Sequence, residues 1–282
     1  MRKLCLSVLL GIGLAGSVSA SLLINEGFET GDFTGGTGLG AWTRNGNNGW
    51  TVLVTDGAAA GRVPDFTGVD SGDYWSRRGA ATSNAEMHST ISADMDATST
   101  IYFSMLINPY RVNAGNNFQM ILGTDALLQG NGPGAVMMTA GGEGIGFGLN
   151  NTTLHAYIYD ESGGTTTGAE STGSITVANN AAAAETTYMI VGKIDWGATD
   201  TLNLYNITDL SAPLPTTAFA TIAGDLDETA FNMLAIGDKQ NASIDEIRFG
   251  TEVTDVIPEP ATIGMLVASA MGILFIRRRL MI

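Results

Sequence analysis

The fold turns on residues 188–205, Tyr188-Met189-Ile190-Val191-Gly192-Lys193-Ile194-Asp195-Trp196-Gly197-Ala198-Thr199-Asp200-Thr201-Leu202-Asn203-Leu204-Tyr205. Tyr188, Ile190, Ile194 and Trp196 share one face of an extended strand, interrupted by Gly192. Leu202 and Leu204 alternate with Asn203 and Tyr205. Side chains point alternately to the two faces of a strand, so a period of two marks a strand buried on one side.

The same period recurs along the chain. Ile101, Phe103, Met105 and Ile107 alternate with Tyr102, Ser104 and Leu106. Leu154, Ala156 and Ile158 alternate with His155, Tyr157 and Tyr159, and Ser243, Asp245, Ile247 and Phe249 alternate with Ile244, Glu246 and Arg248. Further strands are predicted over 50–55, 74–77, 86–92, 118–123, 145–149, 174–178, 216–222 and 231–236. Between them lie turn-forming clusters such as Asn45-Gly46-Asn47-Asn48-Gly49 and Ser162-Gly163-Gly164. The body shows no amphipathic helix with caps. Many short strands joined by glycine-rich turns predict an all-β fold, a single antiparallel β-sandwich of jelly-roll type over residues 21–257.

Composition narrows the class. The 282 residues include 37 Gly, 7 Pro and 1 Cys, with 13 Lys and Arg against 28 Asp and Glu. A hydrophobic share of 44% argues against a disordered acidic chain. The net charge of −15 argues against nucleic acid as a partner, because phosphates would be repelled. The charge is also uneven. Residues 21–257 hold 8 Lys and Arg against 27 Asp and Glu, so the basic groups concentrate at the two ends.

Those ends read as addresses. Residues 1–20 form a signal peptide: Arg2 and Lys3, an apolar run from Leu4 to Gly16, then Val18-Ser19-Ala20. Signal peptidase is expected to cut between Ala20 and Ser21. The single cysteine, Cys5, leaves with the signal, so disulfides, thiol catalysis and Cys-ligated zinc are not expected in the mature chain. At the other end, Pro258-Glu259-Pro260 precedes an apolar stretch from Ala261 to Ile276, then Arg277, Arg278 and Arg279. As a helix that stretch would extend about 24 Å, slightly short of a ~30 Å hydrocarbon core. The arginines are expected to stay on the cytoplasmic side, leaving the body outside.

A Pro-Glu-Pro triplet, a membrane helix and a terminal basic cluster, in this order, resemble the PEP-CTERM sorting signal over residues 258–282. The resemblance implies an exosortase-type enzyme as partner, in Gram-negative bacteria that make exopolysaccharide. It implies Pro258, Glu259 and Pro260 as the recognition motif. The helix would be a transient anchor in the inner membrane before the protein reaches the cell surface or the extracellular space.

The body carries a second resemblance. Phe28-Glu29-Thr30-Gly31-Asp32-Phe33, then Val191 to Trp196 with Asp200 to Tyr205, then Ile244-Asp245-Glu246-Ile247-Arg248-Phe249-Gly250, resemble in order the concanavalin A-like lectin/glucanase sandwich in its laminin-G-like form. That fold hosts lectins, adhesion modules and glycosidases, so it does not settle function.

Catalytic chemistry is hard to place. The Glu-x-Asp-x-x-Glu pattern of the glucanases of this fold is missing, and Asp245 reads as a structural acceptor for nearby N–H groups. There is no Gly-x-Ser-x-Gly elbow, and neither His88 nor His155 sits in a catalytic motif. The Gly144-Ile145-Gly146-Phe147-Gly148 run reads as a close-packed strand rather than a phosphate loop. No cofactor is expected. For calcium the sequence offers Asp70, Asp73, Asp225 and Asp227 as oxygen donors, without an EF-hand loop. Acidic turns of this kind also serve simply as solvated turns.

His155, Tyr157 and Tyr159 form the candidate ligand face. Tyrosines on an open sheet can stack on sugar rings while their hydroxyls hydrogen-bond. The alternative is that this face packs against another strand or a loop. The sequence therefore favours an exported, non-enzymatic surface or matrix protein with a carbohydrate-binding or adhesion role. The alternatives are a polysaccharide-active glycoside hydrolase or lyase on the same fold and a purely structural matrix protein.

Overall fold

Alternating apolar side chains are buried when a second layer, a sheet or helices, covers their face of the sheet. The computed structural model shows that arrangement. It describes residues 22–28, 37–45, 50–53, 66, 69, 74–77, 85–96, 98–109, 117–124, 142–150, 152–162, 165–177, 186–238 and 242–257. The signal peptide with Ala20 and Ser21, the whole tail with Pro258 to Pro260 and Arg277 to Arg279, and Asp70 and Asp73 lie outside the described residues. No helix of the described residues is long and apolar enough to cross a membrane.

The strands are β1 (Leu22–Glu26), β2 (Thr43–Asn45), β3 (Trp50–Leu53), β4 (Tyr74–Arg77), β5 (Ala85–Thr90) and β6 (Thr100–Pro109). Next come β7 (Asn117–Gly123), β8 (Gly144–Asn150), β9 (Thr153–Ser162), β10 (Thr165–Glu170) and β11 (Ile175–Thr176). The last are β12 (Tyr188–Asp195), β13 (Asp200–Ile207), β14 (Ala220–Gly224), β15 (Met233–Asp238) and β16 (Ala242–Gly250), followed by a short helix, α1 (Val253–Val256). One sheet runs β14-β13-β12-β6-β16-β4-β3, with β1 also on β16. The other runs β10-β9-β8-β7-β15-β5-β2, with β11 also on β9. The late strands β15 and β16 therefore sit inside different sheets, and neither sheet is complete without them.

The predicted strands are all present, with shifted ends. The 216–222 strand begins only at Ala220, and the 174–178 strand is just Ile175–Thr176. Three strands, β1, β2 and β10, have no counterpart among the predicted ones. The inward faces meet in one apolar cluster fed by both sheets. Phe103 of β6 stacks on Phe147 of β8 across the sandwich, with ring centres 5.9 Å apart and planes 11° apart. Phe103 also meets Phe249 of β16 at 5.4 Å, and Phe147 meets Phe118 of β7 at 6.1 Å.

Gly192 explains how Phe103 reaches that position. The two residues are direct partners across β12 and β6. A Cβ at Gly192 would lie 2.1 Å from two atoms of the Phe103 ring. The interruption in the alternation of 188–196 is thus the space the ring occupies.

The alternation in β16 does not run through. Ala242, Ile244, Ile247 and Phe249 face the core, while Ser243 and Asp245 are buried without joining that apolar cluster. The register slips between Asp245 and Arg248, where an extra residue flips the facing of the strand beyond it. At the slip, Glu246 takes a left-handed φ of 52°. Its N–H donates to Asp245 Oδ1 at 2.8 Å, and Arg248 Nε donates to its Oε2 at 2.9 Å. Asp245 is therefore a structural acceptor, as the sequence indicates. Beyond the slip the edge of β16 changes partner, from Trp75 and Ser76 of β4 to β1.

The outer face of the first sheet carries its own small core. Leu106, Met189, Val191 and Ile207 pack with Val256 of α1. The Ser104 hydroxyl donates to the Val256 carbonyl at 2.6 Å, and Glu252 with Asp255 forms a capping box at the start of α1.

Gly192→Ala is expected to destabilise the domain by about 1–3 kcal/mol, the usual cost of overpacking a filled core. Adding Phe103→Leu should cost less than the sum of the two single changes. Chemical denaturation of the four proteins checks this, and strict additivity would refute the steric account.

Candidate functional site

The site grows from the outward face of β9. Leu154, Ala156 and Ile158 enter the core, which turns His155, Tyr157 and Tyr159 to the other side. Their partners on β8 are Gly148, Gly146 and Gly144. Three rings thus stand beside three glycines, and the next β8 residue on that face, Asn150, carries a side chain. A Cβ at Gly148 would sit 3.0 Å from Tyr157 Cε2 and 2.5 Å from the Phe118 carbonyl oxygen. The Tyr157 ring lies down against the backbone because glycine is there. This agrees with the close-packed strand expected for the Gly-rich run.

The three side chains do different things. Tyr159 is only 7% exposed and packs with Ile121, Met233 and Ala235. Its hydroxyl reaches across β8 and donates to Gln119 Oε1 on β7 at 3.0 Å. Burial pushes its phenol up to about 12, against a smaller opposing effect of the Gln119 bond. Tyr159 is thus largely a packing residue. His155 has both ring nitrogens engaged, Nδ1 at 3.1 Å from the Ser171 carbonyl and Nε2 at 2.8 Å from Thr153 Oγ1. A carbonyl can only accept, so Nδ1 carries a proton. The ring is presented edge-on to Tyr157 at 6.5 Å.

Tyr157, like His155, is half-buried, and its hydroxyl donates to Glu170 Oε2 at 2.8 Å. Glu170 is exposed, pairs with Tyr157 across β9 and β10, and takes a second bond from Asn150 Nδ2 at 3.2 Å through the same oxygen. Burial pushes the Tyr157 phenol well above its ordinary value, and the Glu170 hydrogen bond and charge add to the shift. At neutral pH it is a hydrogen-bond donor, not a base. Ser171 fixes the corner: its Oγ accepts the Ala156 N–H at 3.0 Å and donates to the Gly173 carbonyl at 2.7 Å. The result is a corner of an aromatic ring, a carboxylate, an amide and an imidazole edge at the rim of the second sheet.

Other candidates resolve differently. Asp225 and Asp227 are exposed, Asp227 Oδ1 accepts from Thr229, and the Asp227 N–H donates to Glu143 Oε2 at 2.6 Å. Among the described residues no three His, Cys, Asp or Glu groups converge on a point that could hold a metal. Trp42 is buried and donates to Glu26 Oε2 at 2.8 Å, and Trp196 is buried and donates to the Met95 carbonyl at 2.8 Å. Both anchor loops. Sequence reasoning finds the ring row on β9 but misses Glu170, Asn150 and Gln119. No local signal links them to β9, because the link is strand pairing.

Fold and site together define a two-layer antiparallel β-sandwich with an open aromatic–carboxylate corner on one face. No family model matches the chain, and no curated protein matches it in sequence. Among solved structures it is similar to the CBM2 module of the evolved Dit protein of Lactobacillus casei phage J-1. That match has 13% identity and TM-score 0.42, covering 85% of this chain and 97% of that one. It is also similar to a carbohydrate esterase of a Shiga toxin-encoding bacteriophage, at 12% identity and TM-score 0.46, covering 82% and 98%. A third is the exoplasmic/lumenal domain of VIP36, at 9% identity and TM-score 0.44, covering 84% and 94%.

The raised phenols set a direction for alkaline stability. An unfolded tyrosine ionises near pH 10, whereas Tyr159 in the fold ionises near 12. The native state then holds the proton longer, so stability falls as pH rises from about 10 to 12. Spectrophotometric titration should show a late-ionising tyrosine that Tyr159→Phe removes. An unchanged titration curve for that variant would contradict the assignment.

Proposed function

We propose that this is an exported carbohydrate-binding protein of the cell surface or extracellular matrix. In this reading the Tyr157–Glu170 corner holds the sugar. The observation that carries the reading is the Tyr157 ring lying against Gly148 at an exposed rim, its hydroxyl held by a solvent-exposed carboxylate. A sugar offers C–H groups on one ring face and hydroxyls around the edge. A flat phenol suits the first, and a carboxylate with neighbouring amide donors suits the second. Glu170 uses Oε2 for Tyr157 and Asn150, and its other oxygen takes no part in those bonds.

Tyr157→Ala is expected to weaken glycan binding at least tenfold, about 1.4 kcal/mol, and Glu170→Gln to weaken it less. Tyr159→Ala should act mainly by lowering stability. A glycan array with thermal unfolding of each variant checks this. Equal binding by wild type and the Tyr157→Ala variant would remove the corner from function.

Delivery belongs to the same proposal. Signal peptidase cuts after Ala20, and an exosortase-type enzyme reads Pro258, Glu259 and Pro260 while the following helix holds the protein in the inner membrane. Glu259→Ala should leave a full-length, membrane-associated protein, seen by fractionation and mass. Release of a shortened protein from that variant would refute the sorting assignment.

A further inference from the structure

The outer face of the other sheet holds a second row of aromatic and polar side chains. Tyr102 on β6 stands opposite Lys193 on β12, Lys193 opposite Asn203 on β13, and Asn203 opposite Thr221 on β14. These four residues form one row across four strands, about 14 Å long at the usual strand spacing. Asp195 and Tyr205 lie two residues along from Lys193 and Asn203, on the same face. None of this belongs to the Tyr157 corner, which lies on the second sheet.

The polar groups in the row are ordered. Lys193 Nζ donates to Asp195 Oδ2 at 2.7 Å, with the two side chains 31% and 34% exposed. Thr100 Oγ1 holds the other Asp195 oxygen at 2.8 Å. Thr221 Oγ1 donates to Asn203 Oδ1 at 2.8 Å, which leaves the Asn203 amide nitrogen as the donor side of that group. Tyr102 and Tyr205 are half-buried, each seated on the small core around Val191 and Val256. Tyr102 beside Lys193 and Tyr205 diagonal to it thus flank the ammonium end of the ion pair.

We infer that the Tyr102–Lys193–Tyr205 face is a second saccharide-binding surface, specific for neutral polysaccharide. The charge balance selects the ligand. Lys193 is neutralised by Asp195, and the body around it holds 27 acidic residues against 8 basic ones, so an anionic polymer is repelled. A neutral polyol is served by both partners: the ammonium donates to one hydroxyl, the carboxylate accepts from the next, and the tyrosine rings cover C–H faces. Two sites on opposite sheets would make the domain bivalent, able to bridge two polysaccharide chains. Bivalence rests on the Tyr157 reading, whereas the Lys193 surface stands without it.

The experiment is calorimetric titration of the protein with soluble glucan, mannan and galactan, with alginate as the anionic control. The variants are Tyr157→Ala, Lys193→Met with Tyr205→Leu, and all three changes together. The methionine and leucine keep apolar bulk on the small core, and thermal unfolding reports whether each variant folds. The Tyr157→Ala protein should still bind a neutral polysaccharide, and the triple variant should bind it at least tenfold more weakly. Unchanged residual binding in a folded triple variant, or a preference of this face for alginate, would overturn the inference. No binding by wild type to any neutral polysaccharide would overturn it together with the Tyr157 reading. Full binding by Tyr157→Ala, lost on changing Lys193 and Tyr205, would refute the Tyr157 corner and uphold this surface.

Discussion

The Phe103 ring occupies the place of a Cβ at Gly192, and the sandwich is organised around that contact. A side chain at residue 192 would force the ring off the β12 strand. With glycine there, the ring leans over its neighbour and stacks on Phe147 of the opposite sheet. It also meets Phe249 of β16. One aromatic ring thereby ties three strands of one sheet to the centre of the other. Residues 21–257 contain no cysteine to staple them, so such contacts and strand pairing must hold the two layers together.

The same device appears on the outside. Gly148 lets the Tyr157 ring lie down on the second sheet as Gly192 lets Phe103 lie down in the core. Inside, glycine allows an aromatic ring to be buried. Outside, it sets a ring flat at an exposed rim, where Glu170 and Asn150 can orient it. The glycine content is therefore more than an inventory of turns.

Much of this is legible in the chain. The period-two runs of β6, β9 and β12 identify strands and their buried faces, because each is buried on one side by the opposite sheet. β10 has no apolar alternation; Thr165 to Glu170 is held by backbone pairing to β9, which sequence does not display. β1 is paired to residues more than 200 positions away, Leu22 with Gly250, and reads locally as no more than a short apolar run. In β16 the alternation misleads, since the extra residue at Glu246 changes the face on which Ile247 and Phe249 lie. The ring row on β9 is readable, but the burial of Tyr159 beside Ile121 and Met233 depends on long-range register. For the same reason Glu170 gives no sign in the sequence that it meets Tyr157.

The proposed polysaccharide contacts fall on Tyr157 of one sheet and on Tyr102, Lys193 and Tyr205 of the other. Hydrogen–deuterium exchange of the intact protein, with and without saturating neutral polysaccharide, tests them most directly. Exchange is expected to slow in β8, β9 and β10 around Tyr157, and in β12 and β13 around Lys193, with the Phe103 core unchanged. Protection confined to other segments, or none at all under saturating ligand, would contradict them.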